Sequence, residues 1–271
     1  MGIEMVGINR YLVKSCRGQP VTDAVVERCG LAGDRRWMVI DTRGRTVTAR
    51  ERPTLVLVAP EATCDGLTLR APGRPPLAVA FPAPNPMLAR VHSHEVAATP
   101  ADEDAHAWFS ELLEEDVRLV YLDDPTRRRP NPAYSEPDDR VSLADGYPVL
   151  LTTTESLDAL NELAAVGPHA GEGPLPMTRF RPNLVVAGAR EWAEDGWRRV
   201  RIGPCEFRVV KRCDRCVLTT VHPDTAVKGR EPLYTLARHR RWDGKTWFGV
   251  NLVPDNPGVT VSVGDPVEVL E

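Results

Sequence analysis

Apolar residues in this chain come in short runs separated by turn formers, and where they alternate they do so with the period of a strand. Met5 to Lys14 alternates in part and predicts a strand that ends in the turn chemistry of Gly18-Gln19-Pro20. After a second short strand, Gly33-Asp34-Arg35-Arg36 predicts a turn into a buried strand through Trp37-Met38-Val39-Ile40. Asp41-Thr42-Arg43-Gly44 then predicts a hairpin turn, and Thr46 to Arg50 its returning strand. Between Pro53 and Val96, pieces at Leu55–Val58, Leu67–Leu69 and Leu77–Ala80 alternate with Gly and Pro, the pattern of a small antiparallel barrel or sandwich.

Helical spacing is rarer. Residues 101 to 115 start acidic and place Ala105, Trp108, Phe109, Leu112 and Leu113 on one stripe, which predicts an amphipathic helix with a core face. Asp123 to Pro137 carries Arg127-Arg128-Arg129 and four prolines, and reads as a loop and a candidate mobile lid. Val149-Leu150-Leu151 leads into Thr152-Thr153-Thr154-Glu155, a candidate capping box for a helix through Leu163 that Pro168 to Pro176 breaks. Arg179 to Val186 is a basic loop entering a buried strand, and Val217 to Val221 is β-branched and predicts another strand. Pro232 to Leu236 opens a short helix with Pro in its first turn. In the strand Phe248 to Leu252, Gly249 marks a close approach of backbone, and Gly258 to Leu270 closes the chain as strand, turn, strand. The fold class expected is mixed α+β, rich in β.

With 271 residues, 42% hydrophobic and 27% charged, the chain is globular and holds one large domain or two small ones. Six cysteines without regular pairing, and a start lacking a basic stretch followed by an apolar core, predict a reducing, cytoplasmic location. No apolar run approaches the roughly 20 residues of a membrane span. The net charge of −4 hides an asymmetry, because residues 208 to 245 hold ten Lys/Arg against four Asp/Glu, +6 there and −10 elsewhere. That favours an anionic ligand near this stretch, whereas Arg238, Arg240 and Arg241 read as a solvated helix face. No nucleic-acid partner is expected.

The chemistry concentrates in Arg212-Cys213-Asp214-Arg215-Cys216, followed by Val217-Leu218-Thr219-Thr220-Val221-His222-Pro223-Asp224-Thr225. Positive charge from Arg212 and Arg215 favours a thiolate, the form that binds metals and attacks electrophiles. Three readings of the Cys-x-x-Cys stay open on spacing alone. Structural zinc lacks a second pair among Cys16, Cys29, Cys64 and Cys205, a thioredoxin-like dithiol needs a helix after the motif, and two ordinary cysteines remain. His92 and His94 share a face if they lie on a strand, but with no third ligand nearby they read as structural surface.

The run from Cys213 to Thr225 resembles the signature of the MOSC (molybdenum cofactor sulfurase C-terminal) domain proteins, in the branch that includes the mitochondrial amidoxime-reducing component and its bacterial relatives. The resemblance extends from Tyr11 to Leu270 and implies an N-terminal β-barrel-like module over 1–125, with Met1–Arg10 and parts of the barrel shared with the core. A MOSC β-barrel core with flanking helices would follow over 126–271. It implies that Cys216 is the catalytic molybdenum ligand and Cys213 only its neighbour. Tyr11-Leu12-Val13-Lys14-Ser15-Cys16 is similar to the family's Tyr-Pro-Val-Lys-Ser-Cys, so Lys14 and Ser15 are expected on the Mo-molybdopterin cofactor. Arg35, Arg181, Asn183, Asp214, Arg215 and Asn251 are expected there with them.

The implied activity is reduction of N-hydroxylated substrates, the oxygen abstracted by molybdenum. Neither Gly-x-Gly-x-x-Gly nor a Cys-x4-Cys-x2-Cys set occurs, so a separate electron-transfer protein, ferredoxin- or cytochrome b5-like, and its reductase are expected partners. The alternative is a cofactor or sulfur carrier without turnover, since MOSC domains also occur joined to pyridoxal phosphate-dependent sulfurases.

Overall fold

The first strand, Ile3–Arg10, shows how the chain closes on itself. Met5 and Ile8 are three apart yet both buried, because the register against Leu184–Ala187 shifts between Met5 and Gly7 and the extra residue returns Ile8 to the inside. On its other edge the strand pairs with Pro266–Val269, which pairs with Arg199–Ile202, then Cys205–Asp214, then Lys245–Pro254. Lys245–Pro254 meets Val149–Thr153, which runs parallel to Leu184–Ala187. Seven strands thus close a barrel without a free edge, filled by Met5, Ile8, Leu151, Val186, Phe207 and Leu252 among others. A computed structural model describes residues 2–271, and among these no helix is long and apolar enough to cross a membrane. The architecture is β-rich, with three α-helices.

The barrel's parallel strand pair requires a crossover, and helix α2 (Thr154–Ala165) supplies it. Its N-cap is Thr153, whose hydroxyl accepts from the Ser156 amide, so the expected capping box at Thr152 and Glu155 is displaced by one residue. Glu155 instead accepts from the backbone of Gly188 at 2.6 Å. Gly249 behaves as the pattern predicted. Its φ is 73°, and a Cβ there would lie 2.7 Å from the Leu151 carbonyl oxygen.

Many residues between the first strand and the barrel's return form a second core, and a smaller cluster around Met38, Ile40, Val91 and Val120 lies on the other face of the sheet that follows. Trp37–Asp41, Val117–Tyr121, His94–Pro100 and Met87–Val91 make a four-stranded sheet, and Ala59–Ala62, Gly66–Arg70 and Leu77–Ala80 a three-stranded one. Helix α1 (Glu103–Leu113), capped by Asp102, buries Ala105, Trp108, Phe109 and Leu113 and leaves Leu112 partly buried. Leu12, Val13 and Cys16, which follow the first strand directly, pack into this second core. The chain therefore crosses between cores at Tyr11, the place where Lys14 and Ser15 are held.

Three expected strands have another form. Leu55–Val58 belongs mainly to a 3-10 helix, Pro53–Leu57, in which Pro53 presets the first turn and Leu55 and Val56 are both buried. Thr46 to Arg50 bridges Ile40 only at Thr46 before turning, because the amides of Glu51 and Arg52 fold back onto the Thr48 carbonyl. Val217–Thr220 is also a 3-10 turn. The hydroxyls of Thr219 and Thr220 donate to the carbonyls of Cys216 and Val217, three residues back, and offer the backbone an alternative to a sheet ladder. The loop from Asp123 contains two short 3-10 turns and is anchored by Arg128, which is buried and donates to the carbonyls of Ser142, Ala144 and Asp145.

Candidate active site

The strand Cys205–Asp214 loses register against Lys245–Pro254 between Arg212 and Asp214, so a bulge falls on Cys213. Bulges re-aim side chains, and beyond this one the chain turns at Arg215, whose amide bonds to Thr246, before Cys216 caps the 3-10 turn. Arg179 braces that turn from beneath. It is buried, and its guanidinium donates to the carbonyls of Thr220 at 3.1 Å and Glu231 at 3.3 Å. Both cysteines open into one cleft of about 620 Å³ between the barrel and the second core.

All nine residues expected from the sequence line this cleft: Lys14, Ser15, Arg35, Arg181, Asn183, Asp214, Arg215, Cys216 and Asn251. They come from five separate stretches of chain. Ser15, Arg35 and Arg181 share an uncommon backbone, with φ of 70°, 48° and 56°. With His92 at 54°, four of the eight non-glycine residues at positive φ among the described residues lie on the cleft wall, and local strain gathers at sites that must hold a fixed geometry.

Tyr11 sits under two of these residues. The guanidinium carbons of Arg35 and Arg181 stand 4.4 and 4.3 Å from its ring centre, on an aromatic ring that attracts cations. Burial pushes the Tyr11 hydroxyl up to about 12 although both arginines oppose it, and the hydroxyl donates to the Pro182 carbonyl. Arg35 pairs with buried Asp34 at 2.6 Å and donates to Asn183 Oδ1 at 3.1 Å. The Asn183 amide is fully engaged: Oδ1 also accepts from the Leu150 amide, and Nδ2 donates to Asn9 and Asp34. Its visible work is to brace Arg35. Asn251 donates to the Arg212 carbonyl at 3.4 Å, and Asp214 pairs with Lys211 at 2.8 Å and Lys245 at 3.5 Å.

The electrostatics around the thiols differ from the sequence expectation. Arg212 turns away towards Asp195 and Trp242. Arg215 does reach Cys213, donating to its Sγ at 2.8 Å, yet burial outweighs that contact and pushes the Cys213 thiol above its ordinary value. The cation beside Cys216 is Arg50, whose Nε lies 3.3 Å from the sulfur although 166 residues separate them. Arg50 is held in turn by Asp145, which also receives Lys14 and, at 3.2 Å, His92 Nε2.

Burial alone would raise the Asp145 carboxyl, but Lys14, the bond from His92 and Arg50 prevail and hold it well below the usual carboxylate range. Lys14 pays in the other direction: burial lowers it to about 8 against the pull of Asp145. His92 lines the cleft from the surface and sits in the turn between two strands, so it does not share a strand face with His94. Arg240 is likewise no solvated helix residue, since it pairs with Asp195 and lies over Trp192 and Trp242.

Seven Lys or Arg side chains line the cleft against two carboxylates, Asp145 and Asp214. Arg179 Nε, Arg181 Nη2 and Arg215 Nε, on three of the lining arginines, are buried without a hydrogen-bond partner. A buried guanidinium nitrogen without an acceptor is costly, so the cleft is shaped and charged for an anion. No group of three or more His, Cys, Asp or Glu side chains is placed to hold a metal among the described residues. A metal centre here would have to arrive with most of its own ligands.

Comparison with known proteins gives the chain's relatives. The MOSC N-terminal beta barrel domain matches residues 3–116, and the MOSC domain matches residues 138–268. Mitochondrial amidoxime-reducing component 1 of Mus musculus is 39% identical over 280 residues, covering 96% of this chain and 80% of the relative. The Homo sapiens protein of the same name is 38% identical, covering 96% and 81%. Mitochondrial amidoxime reducing component 2 of Homo sapiens is 34% identical, covering 95% and 80%.

Proposed function

The chain belongs to the MOSC family, with an N-terminal beta barrel domain followed by a MOSC domain, and from that premise we propose that it is a molybdenum cofactor-dependent oxidoreductase acting on N-hydroxylated small molecules. The observation that carries the reading is the pairing of one cleft thiol, Cys216, with a strongly cationic wall whose arginines keep three buried guanidinium nitrogens unpartnered. A molybdenum-pterin group suits that set: it is anionic, and its pterin supplies sulfur ligands, so the protein needs to add only one. When bound, the group supplies two-electron removal of oxygen.

The chain's own residues do the rest. Cys216 offers a soft sulfur ligand, suited to a metal that also takes sulfur from its pterin. Arg181 through Nη2 and Arg215 through Nε present unpartnered donors to phosphate oxygens. Arg35 is fixed between Asp34 and Asn183 and holds its positive charge over Tyr11 without freedom to wander. Phe180, Leu150 and Leu218 give the cleft an apolar wall. Net turnover of R–NHOH takes up two electrons and two protons and releases R–NH2 and water. Lys14, with an ordinary cationic form up to about pH 8, and Tyr147, pushed up to about 12 by burial, both hold protons in the cleft at neutral pH.

Electrons would come from a separate carrier protein. Purified protein from a molybdopterin-competent host should reduce benzamidoxime with reduced viologen, and be nearly inert with NADH until a small carrier and its reductase are added. Rapid NADH oxidation by the protein alone contradicts the need for a carrier. Full molybdenum loading without turnover of any N-hydroxylated compound would favour a cofactor carrier instead.

A further inference from the structure

The side chain of Arg50, in the cleft wall, hydrogen-bonds the sulfur of Cys216, and the N-terminal module supplies it. It follows the Thr46 bridge, in the turn where the amides of Glu51 and Arg52 fold back on Thr48. Its two ends are committed differently. Nε points to Cys216 Sγ at 3.3 Å, while Nη2 is bound by Asp145 Oδ2. Asp145 is itself fixed by Lys14 and His92, and its backbone carbonyl by Arg128. Lys228 closes the arrangement by donating to the Arg50 carbonyl at 2.7 Å. A guanidinium tied at backbone and fork cannot swing away from the sulfur without breaking these bonds.

We propose that Arg50 is a positioning residue for the Cys216 sulfur, and that its Nε–H donated to that sulfur raises the reduction potential of a metal bound there. A donor on a ligating thiolate withdraws electron density from it and stabilises the more electron-rich, reduced state of the centre. The N-terminal module thus sets the redox poise of a ligand that the MOSC domain supplies, with Asp145 as the relay that aims the guanidinium. This rests on the molybdenum reading of the cleft.

The test is an EPR-monitored redox titration of Arg50→Gln, Arg50→Lys and Asp145→Asn beside the wild type, with molybdenum and pterin measured in each. Arg50→Gln should shift the one-electron equilibrium about tenfold towards the oxidised metal, which is about 59 mV lower in potential. Arg50→Lys, which keeps the charge without the fork, should fall between, and Asp145→Asn should move the same way as Arg50→Gln. Turnover of Arg50→Gln should drop more with a weak electron donor than with reduced viologen. Loaded variants with wild-type potentials overturn the proposal. Loss of molybdenum from all three, with the wild type loaded, overturns it as well and makes Arg50 a retention residue. A wild type without molybdenum would instead defeat the cofactor reading on which the proposal stands.

Discussion

Cys213 and Cys216 are three residues apart and have opposite surroundings. Cys213 is raised by burial despite Arg215, whereas Cys216 caps a turn braced from below and touches Arg50. Cys216→Ser should therefore abolish turnover with little change in melting temperature, because an alcohol replaces a thiolate poorly on a soft centre. Cys213→Ser should keep a sizeable fraction, and the reverse result would exchange their roles.

Arg181→Asn, chosen because Asn tolerates positive φ, should lower bound pterin per chain by the loss of a charged contact of about 1.5–3 kcal/mol. Unchanged pterin content would remove Arg181 from the site. Lys14 makes a pH prediction. Its folded value is about 8 against 10.5 for the ordinary group, so between those values the unfolded chain holds the extra proton and stability rises with pH. Relative to Lys14→Met, the wild type should gain up to about 2 kcal/mol between pH 7.5 and 9.5. Parallel pH profiles of unfolding for the two proteins would contradict this.

At the scale of elements, the strands that form are those with a partner to pair with. Val217–Thr220 has strong β propensity but lies beyond the end of the Cys205–Asp214 pairing, and two threonine hydroxyls turn it into a 3-10 helix. Propensity could not show this, since the deciding fact is the absence of a neighbouring edge. Gly249 was legible because a glycine inside an apolar strand has few other reasons to be there. Gly249→Ala should cost about 1–3 kcal/mol in unfolding free energy through its positive φ and the 2.7 Å approach to Leu151. Thr219→Val, which removes the hydroxyl bond to the Cys216 carbonyl, should cost about 1 kcal/mol in unfolding free energy and loosen the turn that Cys216 opens. A Gly249→Ala protein as stable as the wild type would mean the strand has room to shift away from Leu151.

At the scale of the whole molecule, the two largest of four hydrophobic clusters follow one another along the chain on either side of Tyr11, and the cleft opens between them. The family resemblance named Lys14, Ser15, Arg181 and Cys216 as one set, and they do line one cleft, because each sits in a short motif that the sequence displays. Arg50, His92 and Asp145 were not legible in this way, because what places them is a meeting of segments far apart in the chain, and no spacing records that. They are also the groups that tie the N-terminal module to the thiol. The central claim is that this junction holds a molybdenum-pterin group through Cys216. Metal and pterin analysis of wild type and Cys216→Ser, both made in a molybdopterin-competent host, tests it most directly. The account predicts stoichiometric molybdenum and pterin in the wild type and a marked loss of molybdenum in the variant, whereas a wild type free of molybdenum, or a variant as fully loaded as the wild type, would contradict it.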